Sequence, residues 1–184
     1  MLVLGIDPGS INTGWALLES HGNKTSYIAS GVLSFDKDTE FLERLSEIKV
    51  KVKSLLKDIK PNEIALESLI FVKSPTSLIK LAQTRGIIIG EIIDGQYGKI
   101  FEYSPNLVKS SAVGHGHANK ESVRKVIDMM FGKRDYKTHD ETDAVAIALC
   151  HILNKGKSSQ VKHPLKKKSS GKGLAGALAH KIGK

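Results

Sequence analysis

Leu2-Val-Leu-Gly-Ile-Asp-Pro-Gly-Ser-Ile-Asn-Thr-Gly-Trp-Ala-Leu-Leu18 is the stretch that decides the fold. From Leu2 to Ile6 every residue is apolar or glycine, the pattern of a strand covered on both faces. Asp7 ends the run, and Pro8, Gly9, Ser10 and Asn12 supply the residues of a tight loop. Strands resume at 13–18 and 26–35 with a polar turn at 20–24, which predicts an antiparallel three-strand meander. Beyond it the period changes. Phe41, Leu42, Leu45, Ile48, Val52, Leu55, Leu56 and Ile59 recur mostly at spacings of three and four, predicting a helix over 39–59. Pro61 follows, and a strand at 63–66 runs up to Glu67. A helix over 76–93, a strand over 100–103 and helices over 120–131 and 140–153 complete the order βββαβαβαα. A meander followed by two crossover units predicts an α/β fold: a mixed five-stranded sheet with helices on both faces.

The 184 residues are 40% hydrophobic and 26% charged, which suits one folded domain and excludes wholesale disorder. Apolar runs such as 87–89 and 144–150 fall far short of the roughly 20 residues that span a bilayer. Asp7 interrupts the apolar start and no basic segment precedes it, so no secretory leader is expected. The single cysteine, Cys150, permits no internal disulfide and suits a reducing compartment. These features predict a soluble cytoplasmic protein without a membrane partner.

Charge divides the chain. Residues 155–184 hold nine lysines and no acid; taking nine from 28 Lys and Arg leaves 19 bases against 19 acids in residues 1–154. A neutral body, 1–154, with a basic and disordered tail, 155–184, suggests a nucleic-acid partner, because lysines gain affinity by releasing counterions from phosphates. A solvated tail is the alternative.

Four acids occupy positions that folding alone does not require. Asp7 and Glu67 end strands expected to run parallel, so both belong at one sheet edge. Asp140 and Asp143 are spaced i, i+3 and face one side of the last helix, whose continuation from Ala144 to Cys150 is apolar nearly all round. Each has a plain structural reading, as a turn cap, a loop acid or a helix-start acid, and Thr138 with Glu141 reads as a capping box. One cation-binding cluster explains all four. Oxygen-only donors suit Mg²⁺ or Mn²⁺ rather than zinc, and two such ions about 4 Å apart hydrolyse phosphodiesters.

The same residues carry a family resemblance. Gly5-Ile6-Asp7-Pro8-Gly9 with Thr13-Gly14-Trp15 is similar to the first motif of the RuvC family of bacterial Holliday-junction endonucleases. Ala65-Leu66-Glu67, Leu81-Ala82-Gln83-Thr84-Arg85-Gly86, the stretch from Tyr103 to Lys120, and Asp140-Glu141-Thr142-Asp143-Ala144 resemble its later segments in order. The resemblance implies an RNase H-like fold, a homodimer, and magnesium-dependent paired nicking of four-way DNA junctions in recombination and repair. It also implies work alongside the branch-migration proteins RuvA and RuvB. It carries the catalytic and metal-ligating roles onto Asp7, Glu67, Asp140 and Asp143, with two Mg²⁺ per site and Mn²⁺ as a substitute. It carries DNA contacts onto Lys109 and Lys120. Ser68 and Ile70 depart from the family pattern, so the base-stacking wedge falls to Ile70 or Phe71, and Lys73 is a further phosphate contact. His139 is a neighbour that tunes Asp140, while His115 and His117 suit phosphate contact or plain solvation.

Two rival functions use the same residues. Asp7, Gly9 and Thr13 also suit the phosphate loop of an actin-like or sugar-kinase-like phosphotransferase, which needs two such domains to close over ATP. A non-catalytic DNA-binding module would use the acids for a structural cation. Among smaller features, Trp15 and Cys150 read as core residues. Gly86 and Gly90, four apart on a helix, suit either a dimer seam or packing on the sheet.

Overall fold

Leu2–Asp7 (β1) is the middle strand of a five-stranded sheet in the computed structural model, which describes residues 1–69, 74–114 and 119–155. On one side of β1 lie Asn12–His21 (β2) and Lys24–Ser34 (β3), both paired antiparallel. On the other lie Glu63–Glu67 (β4) and Lys99–Tyr103 (β5), both parallel, giving the order β3-β2-β1-β4-β5. The expected meander with two parallel strands is therefore present.

Period-two alternation divides the core between two faces. Leu4, Ile6, Leu17, Ile64 and Leu66 pack under Phe41–Ile59 (α1) and Pro75–Asp94 (α2), against Ile48, Val52, Leu56, Ile88 and Ile92. Ala16, Ala65, Phe101 and Tyr103 face Pro105–Val113 (α3), Lys120–Phe131 (α4) and His139–Leu153 (α5), where Val108, Val123, Ile127, Val145 and Ile147 complete the core. Cys150 is fully buried there. Trp15 is half-buried beside the α1/α2 cluster rather than sealed within it.

α5 lies on β1 and β2 more closely than ordinary side chains allow. A Cβ on Gly5 would stand 2.2 Å from the Ala144 carbonyl oxygen and 2.8 Å from the Ala148 nitrogen. One on Gly14 would stand 2.0 Å from the Asp140 carbonyl oxygen. Two glycines on the sheet and alanines on the helix thus let α5 rest backbone to backbone on the central strands.

The structure corrects the expected element order in one place: α3 was absent from it. Its signals are local, with Ser104 as N-cap accepting from the Leu107 N–H, Pro105 in the first turn and Gly114 as a left-handed C-cap. Only Val108 among its nine residues is buried, too little apolar periodicity to announce a helix. The expected 20–24 turn also shrinks, because β2 and β3 stay paired out to His21 and Lys24. No helix among the described residues is long and apolar enough to cross a membrane. Ile70, Phe71, Lys73, His115, His117 and the basic tail beyond Lys155 lie outside the described residues.

Candidate active site

Because β1 and β4 are parallel and in register at Ile6 and Leu66, Asp7 and Glu67 emerge side by side at the carboxyl edge of the sheet. Asp7 pairs across the sheet with Gly14, the residue on which the first turn of α5 rests. That contact delivers Asp140 and Asp143 to the same edge. The four acids chosen from the sequence therefore share one electrostatic environment.

Its charge is unbalanced. The Asp7 carboxyl is pushed up to about 8, first by burial and then by Asp143, Glu67 and Asp140, with Lys120 opposing. Burial and Asp143 also raise Glu67, against the pull of Lys109, Lys120 and Arg85. Among the described residues, the cation paired directly with one of these acids is Lys120, whose Nζ lies 2.6 Å from Asp143 Oδ2. This bond and the neighbouring carboxylates hold its ammonium above the usual lysine range, despite partial burial. Among the described residues, no three Asp, Glu, His or Cys side chains are already drawn together in ligating geometry.

Two cavities meet at Glu67. One, about 230 Å³, is lined by Asp7, Pro8, Glu67, Ser68, Leu81 and Arg85 among others. The second, about 180 Å³, places Lys109 and Lys120 with Glu67 and Asp143. Both expected DNA-contacting lysines thus flank the acids. His139 is exposed and opens into neither cavity.

Several supports went unread in the sequence. Arg44 of α1 is buried and donates to the carbonyls of Ser10 at 3.2 Å, Lys37 at 2.7 Å and Thr39 at 2.7 Å, anchoring the loop after Asp7. Thr13 closes that loop from inside, its hydroxyl donating to the Gly9 carbonyl and accepting from the Gly9 N–H. Arg85 of α2, also buried, donates to the main-chain carbonyl of Glu67 at 2.6 Å and pairs with Glu102. The signal for both was a base on the apolar stripe of a helix: Arg44 falls between Phe41 and Ile48, and Arg85 between Leu81 and Ile88.

Glu141 departs from the expected capping box. Thr138 does accept from the Glu141 N–H. The Glu141 carboxylate, however, accepts from the Lys137 N–H at 2.8 Å and the Ser30 hydroxyl at 2.5 Å. It ties the start of α5 to β3, because a buried carboxylate needs more donors than one helix end offers.

A mixed sheet of this order, with acids at its carboxyl edge and an acid-bearing helix laid across the central strands, is the RNase H-like architecture. The chain belongs to the family described as "Crossover junction endodeoxyribonuclease RuvC", whose profile matches residues 3–151. The crossover junction endodeoxyribonuclease RuvC of Rhizobium johnstonii is 34% identical over 155 residues, covering 84% of this chain and 90% of that protein. Its counterpart from Allorhizobium ampelinum is 35% identical over 155 residues, with the same coverage. Among solved structures, Thermus thermophilus RuvC in complex with Holliday junction substrate superposes with a TM-score of 0.80 at 26% identity, covering 88% of this chain and 99% of that one.

Proposed function

We propose that this chain is a divalent-metal-dependent endonuclease that resolves four-way DNA junctions by paired, symmetric nicks. Asp7, Glu67, Asp140 and Asp143 are the metal ligands. The observation that carries this reading is the acid cluster itself: four carboxylates at one edge, one of them raised to about 8, with Lys120 paired to Asp143 among the described residues. The donor set is oxygen only and fits hard cations, two Mg²⁺ per site with Mn²⁺ as a substitute. Bound there, such ions supply hydroxide from water at neutral pH and stabilise the departing 3′ oxygen.

The chain's own residues do the rest. Arg44 and Arg85 fix the backbone behind Asp7 and Glu67, so the strand ends that carry the carboxylates are held in place before substrate arrives. Lys109 and Lys120 flank the acids and attract the phosphate that would otherwise be repelled. The lysine-rich residues 155–184 act as a separate, sequence-independent arm on DNA beyond the nuclease domain.

Two opposed nicks require two sites, hence a homodimer. The exposed strip Ile79, Ala82, Gly86, Gly90 and Ile93 on α2 supports one. A Cβ on Gly86 or Gly90 would meet nothing within 4 Å, so packing inside the protomer does not demand their small size. The resemblance adds RuvA and RuvB as working partners.

The test is direct. Incubated with Mg²⁺, a labelled four-way junction should be nicked at symmetric positions, leaving 5′ phosphate and 3′ hydroxyl ends, while linear duplex stays intact. Junction binding without cleavage would favour the non-catalytic module, and equal cutting of both substrates would remove the junction selectivity.

A further inference from the structure

A second groove, about 280 Å³, lies beside the acid cluster between α4 and the first turn of α5. Helical spacing builds it. Lys120 and Arg124 are one turn apart on α4 with Lys125 adjacent, and His139, Thr142 and Asp143 form one face of the α5 start. Two of its cations are already committed. Lys120 holds Asp143, while Arg124 donates to Asp128 and to the Arg134 carbonyl and stacks on the Tyr136 ring at 4.4 Å. Three polar groups are not. Lys125 and His139 are exposed and have no hydrogen-bond or ion-pair partner among the described residues. The Thr142 hydroxyl, on a residue 5% exposed, is buried without a partner.

A groove with lysine and arginine stems for walls offers hydrocarbon to a deoxyribose and charged heads to the phosphate beside it. Glu121 at its rim disfavours a free dianion more than a monoanionic diester spread along a strand. We propose that this groove seats the sugar-phosphate backbone of the DNA strand next to the cut, with Lys125 making the phosphate contact and His139 donating to the same strand. The inference rests on the nuclease reading, since it needs the strand to pass Asp143.

The full-length protein should be titrated with a four-way junction in Ca²⁺ over a range of KCl concentrations. The chains compared are the parent, Lys125→Gln, Lys125→Arg, and Lys57→Gln on the exposed side of α1 as a control. Lys125→Gln is expected to reduce the slope of log K against log[salt] by about 0.9 and weaken binding roughly three- to tenfold. Lys125→Arg should restore the slope, and Lys57→Gln should leave it unchanged. A parent that binds and cuts junctions, with Lys125→Gln matching Lys57→Gln, would overturn the groove and leave the nuclease reading intact. A parent that binds no junction would overturn both.

Discussion

β4 and α5 each carry a titratable group at both ends, and the two ends of the pair have opposite electrostatics. At the amino end of β4, Glu63 meets His151 near the end of α5, with His151 Nε2 2.7 Å from Glu63 Oε2. The other ring nitrogen, Nδ1, lies 2.6 Å from the Tyr103 hydroxyl. A neutral imidazole that donates from Nε2 and accepts at Nδ1 satisfies this buried trio. Burial lowers His151, against the pull of Glu63. Burial alone would lift Glu63, but hydrogen bonds from His151 and Lys155 outweigh it and hold the carboxyl low. At the other end, Glu67 and Asp143 join Asp7 and Asp140 in an acid cluster where burial and mutual repulsion outweigh the pull of Lys109 and Lys120. The fold pairs its charges where only stability is at stake. Where it leaves them unpaired, a cation and a substrate have binding energy to contribute.

The strongest way to break this contrast is at Asp7. Asp7→Asn removes the most perturbed carboxylate and should lower junction cleavage by roughly 10³-fold or more, the scale of losing a principal charge-stabilising group. Junction binding should hold or tighten, because a repulsive charge near the phosphate is gone. Cleavage at the parental rate would reject the site. Next in size is Gly14→Ala. Its new Cβ, 2.0 Å from the Asp140 carbonyl oxygen, must push α5 away from β2 and carry Asp140 with it. Displacement on the ångström scale should cost roughly 10²-fold in cleavage. Unchanged single-turnover rates would show that the close approach of α5 does not set the geometry.

How much of this was legible depended on how far each signal reached along the chain. The five strands, four of the helices and the four acids could be read because each rests on long-range periodicity or on a motif at a strand end. The buried run after Asp143 announced a core helix, and the parallel crossover put Asp7 beside Glu67. What stayed hidden depended on contacts between elements. Gly5 and Gly14 belong to the opening motif, yet their need to be glycine appears only once α5 lies against them. Arg44 and Arg85 sat in view as bases on apolar stripes, but their carbonyl partners lie on other segments. His151, one residue past the apolar run 144–150, gave no signal of its own because both of its partners come from distant strands.

Smaller effects sharpen the contrast through opposite pH slopes. His151→Leu removes one hydrogen bond from each of Glu63 and Tyr103 and should cost roughly 1–3 kcal/mol in denaturant unfolding. In the parent, His151 is depressed on folding, so its contribution is complete above its unfolded value of about 6.5 and is lost as pH falls below it. That acid-side loss should vanish in the variant. Asp7 slopes the other way. Raised from 3.8 to about 8, it destabilises the metal-free fold progressively as pH rises between those values. Asp7→Asn should therefore stabilise the metal-free chain at pH 7 by about 1 kcal/mol or more, roughly 2–4 °C for a chain of this size. Equal melting temperatures from pH 5 to 8 for variant and parent would remove the strain assigned to that carboxyl.

The central claim, that these acids are a divalent-cation site, is tested most directly by anomalous diffraction from crystals soaked in Mn²⁺. The account predicts manganese peaks bounded by Asp7, Glu67, Asp140 and Asp143, lost in Asp7→Asn crystals. Well-ordered carboxylates with no peak among them at saturating Mn²⁺ would contradict it.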